Sequence, residues 1–341
     1  MKNQKLIYSL AVVIILFGGL KLFSFSSYNE QDDAEHQDNF NASYKVFSLN
    51  IPKNMNFSGE SVPIQNFDVR EKLDRELLVN TYWQSQSILF QKRAKRWFAI
   101  IEPILERNGI PADFKYLAII ESGLTNIVSP AGATGFWQIM KSTGKEYGLE
   151  ITQEVDERYH VEKSTEAACK YLTKAYNKFG NWTLAAASYN MGMHGLSKQL
   201  KRQKVTTYYD LLLNEETARY LYRILAVKEI LSTPEKYGFQ VREKDKYQSI
   251  ETYKVVVDST VTDFADYAYN YKISYKTLKI FNPWLRQAYL NNDSGKKYSI
   301  SIPKDTALVG SIHRELLPDS INPELIDTTA SAPQIDSTKV D

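Results

Sequence analysis

The sequence predicts a mainly α protein that closes on a small α+β module. Three observations carry this. Apolar residues recur at helical spacing through residues 68–238, and no strand series interrupts them. Two β-branched or alternating runs, Tyr253-Lys254-Val255-Val256-Val257 and Tyr298-Ser299-Ile300-Ser301-Ile302-Pro303, bracket two short helical stretches, giving a strand–helix–helix–strand pattern over residues 251–304. The residues on either side of these two regions are polar or apolar in ways that suit an address and a tail rather than a core.

The N-terminus comes first. Lys2 and Lys5 precede an apolar run over residues 6–20, which Lys21 interrupts. A basic start followed by an apolar stretch marks a secretory signal or a membrane anchor, expected over residues 1–26. Bilayer spans need about 20 apolar residues, so this run spans only if Lys21 reaches out to the interface. Ser24-Phe25-Ser26 is a weak cleavage site, which favours an uncleaved anchor to the inner membrane with the rest exported. No cysteine stands directly after the run, so no lipoprotein anchor is expected. Residues 27–67, rich in Asn, Asp and Glu, are expected to form a polar tether.

Residues 75–107 then read as a long helix, broken at Gly109-Ile110-Pro111. Pro111 suits the first turn of the next helix. Further helices are expected over 164–179, 182–189 and 215–231. Beyond residue 305 the chain is rich in Ser, Thr, Pro and Asp and is expected to be a disordered tail.

Composition narrows the function classes. Lys and Arg total 42 against 40 Asp and Glu, a net charge of +2 over 341 residues. That balance leaves no basic footprint for nucleic acid. The single cysteine, Cys169, sits in an Ala-rich helical stretch, excludes an intrachain disulfide and reads as a small buried hydrophobe. The four histidines show no ligand spacing, so no metal is expected, and nothing points to another cofactor. A monomer is expected.

Glu121 stands out. Phe114, Leu117 and Ala118 form an apolar helical stripe, and its next position is Glu121. Ser122-Gly123 stops the helix there. A carboxyl on a buried face, at the negative end of the helix dipole, has its ionised form disfavoured twice. Both effects raise the pKa, and a carboxylic acid protonated near neutrality is what protonates a leaving oxygen in glycoside cleavage. The alternative is a side chain that turns to solvent or pairs with a lysine. The stretch Ser129-Pro130-Ala131-Gly132-Ala133-Thr134-Gly135-Phe136-Trp137-Gln138-Ile139-Met140 follows, joining glycines that allow close approach to ring faces and hydrogen-bonding groups. It reads as a binding loop or as a tight turn before a core helix. Tyr189 and Asn190 close an Ala-rich helix, and Glu216 and Tyr220 share one face at i, i+4.

Together these segments resemble the lytic murein transglycosylase family, with its lysozyme-like catalytic domain, and most of all its membrane-bound D-type group. The matching stretches are Glu121-Ser122-Gly123, residues 129–140, Val155-Asp156-Glu157-Arg158, residues 167–172, Asn181-Trp182 with residues 185–192, and Glu216-Thr217 with Tyr220. Ser188 and Met191-Gly192-Met193 depart from the family pattern. The resemblance implies that Glu121 protonates the β-1,4 bond between N-acetylmuramic acid and N-acetylglucosamine. It then takes the proton of the muramic acid 6-hydroxyl, which closes on C1 to leave a 1,6-anhydro end. It implies that Ser129, Gln138, Met140, Tyr189, Asn190, Glu216 and Tyr220 line the substrate cleft, that peptidoglycan strands are the partner, and that the protein works in the periplasm or cell envelope. Residues 251–304 resemble a LysM module in which Asp258-Ser259-Thr260 replaces the usual Gly-Asp-Thr. Most glycosidases use two carboxylates, and no acid occurs between Ser122 and Gly144. A hydrolytic muramidase on the same fold and a catalytically idle, tethered glycan-binding scaffold remain as rivals.

Overall fold

The computed structural model describes residues 46–306, together with 33–35 and 37–38. The expected anchor over residues 1–26 and all but the first two residues of the expected tail lie outside the described residues. Among the described residues no helix is long and apolar enough to cross a membrane. The chain divides into residues 1–50 and 51–341, and every element below belongs to the second unit.

That unit begins with a hairpin, β1 (Asn56–Phe57) and β2 (Glu60–Ser61), paired Asn56 to Ser61 and Phe57 to Glu60. Its turn residues, Ser58 and Gly59, both have positive φ (53° and 85°), the combination that matches hairpin twist. The expected tether therefore ends earlier than its polar composition suggested. Phe57, Val62 and Ile64 are buried, and the Phe57 ring meets Phe114 edge-on at 5.2 Å. Three well-spaced apolar side chains are enough to dock a mostly polar segment.

Two helices follow, α1 (Phe67–Tyr82) and α2 (Gln84–Arg107). The single helix expected over 75–107 is divided at Trp83, whose ψ of 58° leaves the helical range. The Ser87 hydroxyl bonds the Asn80 carbonyl that the break releases. A 3₁₀ turn at Ala112–Phe114 leads into α3 (Lys115–Ser122), which Gly123 ends in the left-handed conformation (φ 61°). Only glycine takes that geometry without strain. Then come α4 (Lys141–Glu146), α5 (Val161–Phe179), α6 (Trp182–Met191), α7 (Met193–Gln203) and α8 (Glu215–Ser232). Helix α7 was not expected from the sequence, because it is short, mostly polar and buries only Leu196.

Helix α3 is the centre of this domain, with Tyr116, Leu117, Ala118, Ile119, Ile120 and Ser122 buried. Helix α8 packs against α1, α3 and α6. Ala185, Ala186 and Ala187, all buried, let α6 lie close to α5 and α8. Cys169 is buried in α5, and its thiol is pushed up to about 12 chiefly by desolvation, as suits a packing residue rather than a nucleophile.

The C-terminal module pairs β3 (Thr252–Val257) antiparallel with β4 (Tyr298–Pro303) and carries α9 (Phe264–Tyr269) and α10 (Tyr275–Phe281) between them. Phe264, Leu278, Trp284, Leu285 and Ile300 form its core, and Val155 of the helical domain is part of the same cluster.

Replacing Phe57 by alanine is expected to lower unfolding free energy by about 3–4 kcal/mol, the usual cost of emptying a buried aromatic site. Denaturant unfolding measures it, and a loss within error of zero would return residues 56–64 to the tether.

Candidate active site

Glu121 is the penultimate residue of α3 and is half-buried. The hydroxyl of Tyr220, one face of α8, donates to its Oε1. Its pKa is raised from the ordinary 4.5 to about 7. Desolvation is the largest cause. The Tyr220 hydrogen bond and the positive charge of Arg223 pull the value down, and the negative charge of Glu216 adds to the rise. The group is thus poised between acid and base near neutral pH.

The helix end that presents it is held from two sides. Arg223 Nη2 donates to the Ile120 carbonyl (3.0 Å), and Arg93 Nη1 donates to the Gly123 carbonyl (3.0 Å). These are C-terminal carbonyls of α3, where cations are favoured. Tyr189 lies near enough for the Glu121 charge to act on it, and its hydroxyl donates to the Trp137 carbonyl (2.8 Å). Burial first, then the Glu121 charge, holds the phenols of Tyr189 and Tyr220 well above their ordinary range. Both therefore remain hydrogen-bond donors at any physiological pH.

The loop over 129–140 is tied to the helix end, since the Ser122 hydroxyl donates to the Phe136 carbonyl (2.8 Å). Thr134 and Ile139 exchange two backbone hydrogen bonds of 3.1 Å. The ring faces expected of Phe136 and Trp137 are not available to a ligand. Both rings are buried, Trp137 donating through Nε1 to Thr165 (2.8 Å) and Phe136 meeting Trp97 edge-on at 4.8 Å. They anchor the loop in the core. The exposed apolar surface comes instead from Ile127 and Val128, just before the loop, and from Met140 at its end. Gln138 takes a positive φ of 45° and spends Nε2 on the carbonyls of Gly135 (2.8 Å) and Ile127 (3.1 Å). Ser129 accepts the Ala133 N–H at Oγ (3.0 Å). These two polar side chains shape the loop from within.

The structure gathers Tyr189, Glu216 and Tyr220 around Glu121, Tyr220 through a hydrogen bond and the other two within reach of its charge. Ser129, Gln138 and Met140 stand on the adjoining loop, and Asn190 is exposed at the end of α6. Sequence reasoning gave no role to Arg93, Arg158 or Arg223. A polar pocket of about 400 Å³ lies at the opposite end of α6, lined by Glu60, Asn181, Thr183 and Tyr209 among others. Its carboxylate is committed to capping, because Glu60 accepts from Trp182 N (2.6 Å), Thr183 N (2.8 Å) and Thr183 Oγ1 (2.6 Å). Among the described residues no His, Cys, Asp and Glu group is arranged to hold a metal ion.

Residues 98–211 match the family described as the transglycosylase SLT domain, and residues 253–306 match the soluble lytic transglycosylase C-terminal LysM-like domain. The first match contains Glu121, the loop and Tyr189, and ends before Glu216 and Tyr220. Membrane-bound lytic murein transglycosylase D of Escherichia coli is 30% identical over 249 residues, which are 71% of this chain and 53% of that protein. The chain thus spans about half the length of that relative. A putative tributyltin chloride resistance protein of an Alteromonas species is 28% identical over 102 residues, covering 29% of this chain and 49% of that one. Among solved structures, an inactive mutant of the lytic transglycosylase Slt from Pseudomonas aeruginosa aligns at 22% identity and a TM-score of 0.34, over 44% of this chain and 26% of that one.

The raised pKa has a stability consequence. The folded protein holds the Glu121 proton more tightly than the unfolded chain. The resulting stability is complete below pH 4.5 and is lost as pH rises through about 7. A glutamine in its place carries no such titration. Glu121→Gln is therefore expected to leave stability little changed near pH 4 and to exceed wild type at pH 8, by up to about 3 kcal/mol. Urea unfolding at both pH values checks this; a difference independent of pH would contradict it.

Proposed function

We propose, from the premise that this chain carries a transglycosylase SLT domain and a C-terminal LysM-like domain, that it is a lytic transglycosylase that cuts the glycan strands of peptidoglycan without using water. The observation that carries the reading is the desolvated Glu121 carboxyl at the end of α3, its pKa raised to about 7, with Tyr220 bonded to one of its oxygens.

With Oε1 receiving the Tyr220 hydrogen, Oε2 carries the proton. In the first step that proton passes to the oxygen linking C1 of N-acetylmuramic acid to N-acetylglucosamine, and the C1–O bond breaks. Glu121, now ionised, accepts the proton of the muramic acid 6-hydroxyl as O6 bonds to C1. The product is a 1,6-anhydro ring, and the enzyme ends as it began, protonated. One carboxyl serves both transfers, so no second carboxylate is required. The other acid whose charge reaches Glu121 is Glu216, which is exposed near the start of α8. Arg223 limits the rise in pKa, so the carboxyl can also give up its proton near neutrality. The exposed Ile127, Val128 and Met140 side chains would offer apolar faces to sugar rings, and in this reading Ser129, Gln138, Tyr189 and Asn190 line the path of the strand.

The division of labour is a catalytic domain over residues 68–238 and a LysM-like module over 251–304. The relative's membrane-bound character supports action in the cell envelope, with residues 1–26 as signal or anchor and the protein working as a monomer.

Glu121→Gln keeps the shape and removes the proton. Turnover is expected to fall about 10²–10⁴-fold with binding to purified sacculi retained. Mass spectrometry of released muropeptides is expected to find anhydro ends from wild type. Reducing ends would make the enzyme a hydrolase, and undiminished release by the Gln variant would remove Glu121 from the chemistry.

A further inference from the structure

The stretch over residues 150–160 joins the two domains, and the same stretch holds the loop beside Glu121. On the side of the module, the Asp156 N–H donates to the Trp284 carbonyl (2.8 Å) and the Arg286 N–H donates to the Glu154 carbonyl (2.7 Å). Val155 and Leu285 pair between them as an antiparallel bridge. The side chain of Val155 is buried in the module's own core. Side chains extend the seam. Glu154 accepts from the backbone N–H (2.7 Å) and Nδ2 (2.9 Å) of Asn291. Glu150 accepts the Tyr298 hydroxyl (2.9 Å) and pairs with Lys296. The Arg286 guanidinium lies 4.0 Å over the Tyr159 ring.

On the other side, Arg158 lays its fork on Asp156, Nε to Oδ1 at 3.0 Å and Nη2 to Oδ2 at 2.7 Å, with both side chains nearly buried. Its Nη1 donates to the carbonyls of Gly132 (3.0 Å) and Ile139 (3.2 Å). These are the two arms of the loop. Gly135, between them, sits so close that a Cβ there would lie 2.1 Å from the Arg158 carbonyl. One buried guanidinium thus fastens the loop, its counter-ion is Asp156, and the backbone of Asp156 is bonded to the module. Such a fork cannot be replaced by the point charge of lysine.

We infer that the C-terminal module positions the loop over 129–140 through Asp156 and Arg158, so that Arg158 is a positioning residue and the module aids cleavage without having to touch the glycan. The consequence for cleavage rests on the function proposed above; the mechanical coupling does not.

The test uses the full chain and two variants. Glu150→Ala/Glu154→Ala/Arg286→Ala strips the seam of surface contacts without opening a hole in either core, and Arg158→Lys keeps the charge but not the fork. Amide hydrogen exchange is followed by mass spectrometry at residues 132–139. Both variants are expected to exchange there about tenfold faster while α1 and α8 keep their protection. KM for glycan strands is expected to rise about three- to tenfold, with the alkaline limb of the pH profile unmoved because Glu121 keeps its surroundings. Loop exchange unchanged in the seam variant overturns the inference, whether or not Arg158→Lys loosens the loop. A raised KM without faster exchange also overturns it, since the module would then be acting as a glycan binder. A wild type that cleaves nothing would defeat the proposed function while leaving the exchange result to decide the coupling.

Discussion

The Glu121 carboxyl sits at the end of a helix buried along most of its length, and a buried phenol donates to it. A carboxyl in that position cannot be cheaply ionised, because water is largely excluded and the helix carbonyls point the same way. One guanidinium, that of Arg223, opposes this. Arg223 and Arg93 bind carbonyls at the helix end, and the charge of Arg223 tempers the rise. The balance leaves the group near the middle of the physiological range. Every other part of the site follows from keeping that helix end in place. The α8 helix brings Tyr220 and Arg223 one turn apart, and α6 delivers Tyr189 against the loop backbone.

Arginines recur as clasps on main-chain carbonyls. Arg93 and Arg223 hold α3, and Arg158 holds the loop. An irregular loop cannot satisfy its own carbonyls by helix or sheet, and a buried guanidinium supplies several donors at once. Asp156 makes the burial of Arg158 tolerable by pairing with it. The arrangement also explains why Val155 belongs to the core of the second domain: the strand-like bridge at Val155 is what carries the module's backbone to the counter-ion.

Much of the fold was legible because it rests on local pattern. The stripe of Phe114, Leu117 and Ala118 leads by spacing alone to Glu121, and Gly123 marks where the helix must stop. The strand, helix, helix and strand of the module follow from Tyr253, Phe264, Leu278 and Ile300 at their local periods. What was hidden depends on distant partners. Residues 56–64 read as tether because their composition is polar, yet Phe57 finds Phe114 across the fold. Phe136 and Trp137 read as ring faces for a ligand, but the same rings fill the core, and composition cannot tell an aromatic that binds from one that anchors. Arg158 lies in a stretch that carries the resemblance, but its role is hidden, since the carbonyls it holds lie 19 and 26 residues away. Helix α7 is short and mostly polar, and its apolar positions, Met193, Leu196 and Leu200, are too few to mark it in the sequence.

The state of the Glu121 carboxyl can be read directly. Carbon-13 labelling of glutamate and NMR titration of the side-chain carboxyl signals, with Glu121→Gln identifying the resonance, would follow this one proton in the free protein. A midpoint near 7 is what the buried, Tyr220-bonded carboxyl requires. A midpoint near 4.5, the value of a carboxyl in water, would contradict it.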